Sequence, residues 1–246
     1  MRVAAHVGEA TISNVEADLK QQFYGLEQLL ISGTSVNYDT GTSSAVKGFD
    51  PSHMALRDIR IGIDSVSYRG MNINAVIREL SMNERSGLSI VSLTGGVHMD
   101  SLQIRVPDLK LLTPHSEMNL TAQAFWDITS LEDDRVVASI DGLIGKQDVI
   151  LFAGALPDAF KRSYPSYPLT MQLSAKGNMN RIDISRLSMN LPSAFSLTGG
   201  GEISNVLDSI NRMGSVDLQM HTQNLNFLTT LSGTPSDSSL VIPRNI

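Results

Sequence analysis

The strongest constraint on the fold is a repeated alternation of apolar and polar residues. Between Met118 and Ile128 every even position is apolar, whereas four of the five odd positions are polar. Successive side chains of a β-strand point to opposite faces, so this period of two predicts a strand with one dry face. Shorter runs of the same kind are Ile59–Ile63, Leu102–Val106, Leu169–Leu173, Leu187–Leu191 and Val216–Met220.

Glycine, asparagine, aspartate, serine and proline separate these runs, which is the composition of turns. Many short strands divided by turns predict an all-β chain. Helices are expected to be few. Asp158–Arg162 follows Pro157 and could form about two turns, while Val206–Arg212 and Asn224–Leu231 could each be a short helix or a loop.

Degenerate repeats favour a ribbon-like arrangement of the strands. The tetrapeptide Leu-Thr-Gly-Gly occurs at Leu93–Gly96 and again at Leu197–Gly200, and Ile31–Tyr38 resembles Ile61–Tyr68. We expect residues 1–38 to form a first strand unit and 39–54 a polar loop. Residues 55–231 should then form a continuous β groove of repeated strand units, and 232–246 a linker into a following element.

Charge and composition exclude several classes of function. The chain has 19 Lys and Arg against 25 Asp and Glu, a net charge of −6, which argues against binding to nucleic acid. The absence of cysteine excludes disulfide frameworks, thiolate catalysis and thiolate metal sites. No signal peptide is recognisable at the N-terminus, and we expect the chain to be a piece of a longer protein whose targeting segment lies elsewhere.

No catalytic or metal-binding motif stands out. The five histidines are far apart in sequence, so a zinc site would have to be assembled over long range. Gly142–Gln147 lacks the spacing of a phosphate loop and is predicted to be a turn. Glu132–Asp134 is the densest acidic cluster, but its spacing is not that of a calcium loop, and a solvated turn is favoured. We therefore predict a protein that is not an enzyme and needs no cofactor.

The apolar stripes allow two interpretations. They could form the closed core of a β-sandwich or barrel, or they could line an open groove in which methionines and small aliphatic residues meet varied acyl chains. The candidate residues for such a lipid groove are Ile59, Ile61, Ile63, Leu102, Ile104, Met118, Leu120, Ala122, Trp126, Leu187, Met189 and Leu191.

Several stretches carry a resemblance to a known family. The run Gly48–Ile59 continues through Ile63–Tyr68 and Ile77–Ser81, and then through Glu84–Leu88 and Leu93–Gly95. The later unit Ile182–Gly200 is similar to a unit that is repeated through chains of that family. From about Thr11 to about Gly233 the sequence resembles the periplasmic region of TamB-like proteins, within the wider AsmA-like group. The resemblance is one of pattern, and the family has no catalytic or cofactor residues to carry over.

The resemblance implies an elongated, curled β-sheet, called a β-taco, with an apolar inner groove. It implies a non-enzymatic role in outer-membrane biogenesis, in which the groove serves phospholipid passage, assembly of outer-membrane proteins, or both. The implied partners are phospholipid acyl chains and an outer-membrane β-barrel protein. The implied location is the periplasm, as part of a longer protein anchored in the inner membrane. The alternative is a closed β-sandwich or barrel that acts as an extracellular or periplasmic binding or adhesion module.

Overall fold

The computed structural model describes residues 2–40, 46, 48–127, 130, 134–154, 156–206, 208 and 210–231. Fourteen strands and three short helices follow one another within these described residues. The strands are β1 (Arg2–His6), β2 (Glu9–Asp18), β3 (Phe23–Asp39), β4 (His53–Arg69), β5 (Asn72–Glu84), β6 (Ser89–Ile90), β7 (Ser92–Met99), β8 (Gln103–Leu112), β9 (Glu117–Phe125), β10 (Val136–Ile144), β11 (Leu169–Gly177), β12 (Arg181–Leu191), β13 (Phe195–Ser204) and β14 (Met213–Thr222). The helices are α1 (Lys146–Phe152), α2 (Asp158–Ser163) and α3 (Asn226–Thr229).

All the strands belong to one antiparallel sheet that is long, curled and not closed. The strand order is β1-β3-β4-β5-β7-β8-β9-β10-β11-β12-β13-β14, with β2 also paired to β3 and β6 also paired to β5. Neighbours in the sheet are therefore almost always neighbours in sequence, as in a meander. The predicted all-β, curled and elongated fold is confirmed, and the alternative of a closed sandwich or barrel is wrong.

The loop predicted at residues 39–54 does not separate two units of structure. Strand β3 runs to Asp39 and β4 begins at His53, and the two strands pair over most of their length. The sheet therefore continues across the boundary predicted at residue 38. The predicted linker at 232–246, together with Ile128, Glu132 and Asp133, lies outside the described residues.

Bulges interrupt the pairing of six strand pairs. In β8 the bulge lies between Val106 and Leu109, where Pro107 has no N–H to give to a ladder. A bulge adds a residue to one strand, bends that strand and increases its twist. The extra residue shifts the alternation by one position. Side chains three positions apart across the bulge, such as those of Val106 and Leu109, therefore point to the same face.

The two edges at which the strands end differ in structure. Helix α1 follows the end of β10, α2 precedes the start of β11, and α3 follows the end of β14. Since neighbouring strands are antiparallel, all three helices lie at one edge, which we call the helical edge. Among the described residues no helix lies at the opposite edge, and we call it the turn edge.

Four turns at the turn edge share the same hydrogen-bonding pattern. The side-chain oxygen of Asp18, Asp100, Asn178 or Asp208 accepts hydrogen bonds from the backbone N–H groups two and three residues later. Such Asx turns satisfy the donors that a tight reversal leaves free. At Asp100 these bonds, from Leu102 and Gln103, lower the pKa of the carboxyl group.

The buried core is small and lies at the helical edge. Five of the buried hydrophobic side chains form one cluster: Phe160, Tyr164, Leu191, Ala194 and Phe227. Their aromatic rings pack edge to face or tilted, with the centroids of Tyr164 and Phe227 5.4 Å apart. Helices α2 and α3 are thus fixed to the ends of β12 and β13, and the rest of the apolar face has no comparable layer among the described residues.

The predicted helix at Asp158–Arg162 is confirmed as α2, and Asn226–Thr229 lies inside the second candidate segment. The described residues of Val206–Arg212 form a turn. Gly142–Gln147 was predicted to be a turn, but β10 extends to Ile144 and α1 begins at Lys146. That helix escaped prediction because its seven residues carry no helical period and no side-chain cap.

Candidate functional site

One face of the sheet carries an uninterrupted apolar row from β2 to β14. Residues that pair across an antiparallel ladder lie on the same face. Following the registers from strand to strand gives the row Ile12, Leu29, Ile63, Ile77, Gly95, Leu109, Leu120, Ile140, Leu173, Leu187, Gly199 and Leu218. Every member is leucine, isoleucine or glycine. We call the side of the sheet that contains this row the apolar face.

A second row on the apolar face lies nearer the helical edge and is rich in methionine. Its members are Leu93, Leu111, Met118, Gly142, Met171, Met189, Leu197 and Met220. Methionine is unbranched and polarisable, so it adapts to partners of irregular shape. The two rows together form an aliphatic surface without charge.

The opposite face is polar along the same strands. In each strand one residue lies between the two apolar rows, and its side chain points to the opposite face. These residues are Thr94, Lys110, Asn119, Asp141, Gln172, Ser188, Thr198 and Gln219. Two of these side chains bond directly, with Asn119 Nδ2 donating to Asp141 Oδ2 at 3.2 Å. This face has the composition of a solvated surface, so the sheet has one wet side and one apolar side.

The side chains of the apolar face are shielded but not sealed. Leu120, Ile140, Leu173 and Leu187 are all partly buried, whereas polar neighbours such as Thr121 are exposed. Towards the last strand the same face becomes more open, and Leu218 is 55% exposed. Because the helices cover the face only at the helical edge, its shielding elsewhere comes from the curl of the sheet and from neighbouring side chains. A continuous apolar surface therefore remains accessible to a guest molecule.

The structure places eight of the twelve predicted groove residues at partly buried positions on the apolar face. They are Ile61, Ile63, Ile104, Met118, Leu120, Ala122, Leu187 and Met189. Of the remaining four, two are buried and two lie outside the strands. Ile59 is buried opposite Thr34, and Leu191 is 1% exposed in the helical-edge core, which leaves it inaccessible to a guest.

Leu102 and Trp126 lie at the turn edge, outside the strands. Leu102 precedes β8 and is 65% exposed, and Trp126 follows β9 and donates a hydrogen bond from Nε1 to the carbonyl oxygen of Asp100 at 2.7 Å. That bond ties the turn after β9 to the turn before β8. Both residues mark the rim of the apolar face, and neither belongs to its rows.

The repeated Leu-Thr-Gly-Gly tetrapeptide occupies equivalent places in the sheet. In both copies the leucine lies in the methionine-rich row, and the first glycine, Gly95 or Gly199, lies in the row of leucine, isoleucine and glycine described above. Gly95 has a φ of 149°, and a Cβ there would lie 2.0 Å from the carbonyl oxygen of Asp108. Glycine is required there because the bulged strand β8 approaches its backbone closely.

Helix α1 covers part of the apolar face and is held at both ends. Near its first turn, Asp148 Oδ2 accepts hydrogen bonds from the hydroxyls of Thr113, at 2.5 Å, and Ser116. Near its last turn, the ring of Phe152 packs edge to face on Phe49, with centroids 5.3 Å apart. The helix thereby links the turn between β8 and β9 to the segment before β4.

Sequence reasoning missed several residues of this surface. Ile140 was missed because the adjacent apolar residues Val136 and Val137 interrupt the alternation of its strand. Leu109 was missed because the bulge at Pro107 shifts the alternation by one residue, so that apolar residues after it fall on odd positions. Val149 and Phe152 give no signal beyond a short apolar run. Their helix, α1, packs against strands that are distant in sequence, and no local sequence pattern indicates that contact.

Within the described parts of the chain, no group of histidine and acidic side chains is arranged to hold a metal ion. None of the helices described is both long and apolar enough to cross a bilayer. Comparison with known proteins matches this chain to no family model, no curated protein and no solved structure.

Proposed function

We propose that this chain is a non-enzymatic module whose apolar face holds hydrocarbon chains, in particular the acyl chains of phospholipids. The observation that carries the proposal is the continuous row of leucine, isoleucine and glycine from Ile12 to Leu218, exposed enough to be reached. A specific pocket for a small polar ligand would need fixed polar groups that converge on it, and the rows of this face offer none.

The physical basis is the cost of exposing hydrocarbon to water. Each methylene group transferred to water costs about 0.8 kcal/mol, so an acyl chain does not cross an aqueous space unaided. A curled sheet with one apolar face offers an acyl chain aliphatic contacts along the whole length of the sheet. Along the open rows, leucine, isoleucine and methionine side chains offer similar contacts at each position, so a lipid can move from one position to the next.

The resemblance to TamB-like proteins supports a cellular setting for this activity. It would place the module in the periplasm, within a longer protein anchored in the inner membrane, where it serves outer-membrane biogenesis together with an outer-membrane β-barrel partner. Lipid passage would then use the apolar face as a shielded route.

The edge strand β14 favours a second role, in which the module receives a strand of a client protein. Residues 213–221 are all exposed, and β14 is paired on one side only among the described strands. An exposed edge can accept an extended segment through main-chain hydrogen bonds. Assembly of outer-membrane proteins, which are themselves made of strands, would use this edge.

Site-specific photocrosslinking tests the lipid role. A photoreactive amino acid at Leu120, Ala122 or Ile61 should capture phospholipid in cells, whereas the same probe at Thr121 on the polar face should not. Mass spectrometry of the adducts identifies the lipid. Equal capture at Leu120 and Thr121, or no capture at any of the three apolar positions, would contradict the proposal.

A further inference from the structure

A chamber of about 580 Å³ lies between helix α1 and the apolar face. Its sheet wall includes Ile90, Leu111 and Met118, and its helix wall includes Val149 and Phe152. This volume is within the range of roughly 300–1,000 Å³ that is typical of small-molecule sites. Another hollow, of about 540 Å³, is lined mainly by polar side chains such as Glu117, Asn119 and Asp141 and lacks such apolar walls.

We propose that this chamber is a binding site for one hydrocarbon chain of a lipid, with the polar headgroup held outside. The inference rests on the proposed function and deepens it, because it assigns a defined holding position on an otherwise uniform face. Elsewhere the face shields a hydrocarbon chain from one side. Under α1 a hydrocarbon chain contacts apolar side chains on two sides. More of the hydrocarbon surface is then removed from water, so the hydrocarbon binds more tightly there.

The polar residues of the chamber explain why the occupant is a hydrocarbon chain and not a headgroup. Only Thr113, Ser116 and Asp148 interrupt its apolar walls. Their hydroxyls are committed to the Asp148 carboxylate, and Ser116 Oγ also accepts a hydrogen bond from the Gly145 N–H at 3.0 Å. The carboxylate repels an anionic group, and the committed hydroxyls leave little hydrogen-bonding capacity for any other headgroup.

The chamber is continuous with the methionine-rich row. Leu111 and Met118 line it and are also paired neighbours within that row. A lipid chain that leaves the chamber therefore remains in contact with aliphatic side chains. A hydrocarbon guest would also replace water in the chamber and gain close packing against its aliphatic walls.

Photocrosslinking at two positions separates this inference from the proposed function. The probe is placed at Ile90, inside the chamber, or at Leu187, on the open face, and the purified chain is mixed with vesicles of phosphatidylcholine. Capture at both positions supports the chamber and the groove. Capture at Leu187 alone overturns the chamber but leaves the proposed function standing. Capture at Ile90 alone supports the chamber as an isolated site, and capture at neither overturns both.

A substitution that fills the chamber gives a quantitative test. Leu111→Trp should weaken binding of a pyrene-labelled phosphatidylcholine about tenfold, the loss expected when roughly two methylene groups are displaced. The matched control Thr121→Trp lies on the polar face and should change binding less than about threefold. Equal effects of the two variants would overturn the chamber. If Leu111→Trp does not fold, Leu111→Ala serves instead, because it enlarges the chamber and should still allow crosslinking from Ile90.

Discussion

Leu120 of β9 lies directly opposite Ile140 of β10 on the apolar face, and neither side chain is sealed from solvent. In a closed β-sandwich this pair would lie in the middle of the core. In the open, curled sheet it forms part of an accessible wall. The effects of a charge at this pair therefore differ from those of a charge in a true core.

Leu120→Arg should leave the fold intact and damage lipid capture. A guanidinium group on a partly exposed face can extend its head into water, so we expect the free energy of unfolding to fall by about 1–2 kcal/mol. Capture of phospholipid by neighbouring crosslinkers should fall about tenfold. Urea unfolding and crosslinking yield measure the two effects, and Thr121→Arg on the polar face is the matched control. A folded Leu120→Arg protein with normal lipid capture would speak against the groove.

Leu191 should behave as a core residue, in contrast to Leu187 four positions earlier. Leu191 is 1% exposed in the cluster with Phe160 and Phe227. Leu191→Ala should cost about 2–5 kcal/mol, because it removes buried surface and leaves a cavity. Leu187→Ala on the open face should cost about 1 kcal/mol. Chemical denaturation of both variants compares these costs, and equal values would show that the open face is as tightly packed as the core.

Asp148 should anchor α1 to the sheet. Replacement by Asn leaves a neutral amide oxygen in place of the charged acceptor of the Thr113 and Ser116 hydroxyls, which weakens both hydrogen bonds, so we expect a loss of about 1–3 kcal/mol. Asp158→Asn in the first turn of α2 is the control, since Asp158 is exposed. Hydrogen exchange of residues 146–152 should increase in Asp148→Asn and remain unchanged in the control. Unchanged exchange in both variants would refute the anchoring role.

Glu84 should make the fold sensitive to acid. Burial opposes its ionisation, but hydrogen bonds from the N–H groups of Ala55, at 3.0 Å, and Ser86, at 2.6 Å, outweigh burial and lower the pKa of the carboxyl group below its ordinary value near 4.5. The ionised form is therefore favoured in the folded state. Its contribution to stability is present above the unfolded-state pKa and is lost as the pH falls through the lower, folded-state pKa.

The measurement is the free energy of unfolding between neutral pH and about pH 3 for the native chain and Glu84→Gln. The native chain should lose stability below the ordinary carboxyl range, and the variant should lose less because it has one linked proton fewer. Asp50, Asp100 and Asp208 also have lowered pKa values, so part of the acid dependence remains in the variant. Parallel pH profiles for the two proteins would contradict the role of Glu84.

The alternation of residues was sufficient to predict an all-β chain and most of its apolar face. Ile61, Met118 and Leu187 each occur in a run of period two, and such a run has one apolar side whatever the neighbouring strands are. The sequence alone could not decide whether that side is sealed. Both a sandwich and an open sheet need the same stripes.

The tertiary structure decided what local pattern leaves open. Bulges between Val106 and Leu109, and between Ile184 and Leu187, change the phase of the alternation while keeping the apolar side chains on one face. The same structure buries Leu191 beneath α2 and α3 and places α1 over the chamber. Period two is a property of a single strand, and the sequence therefore determined the strands and their apolar sides. Which side chains are covered depends on contacts between segments far apart in the chain, and these only the folded protein supplies.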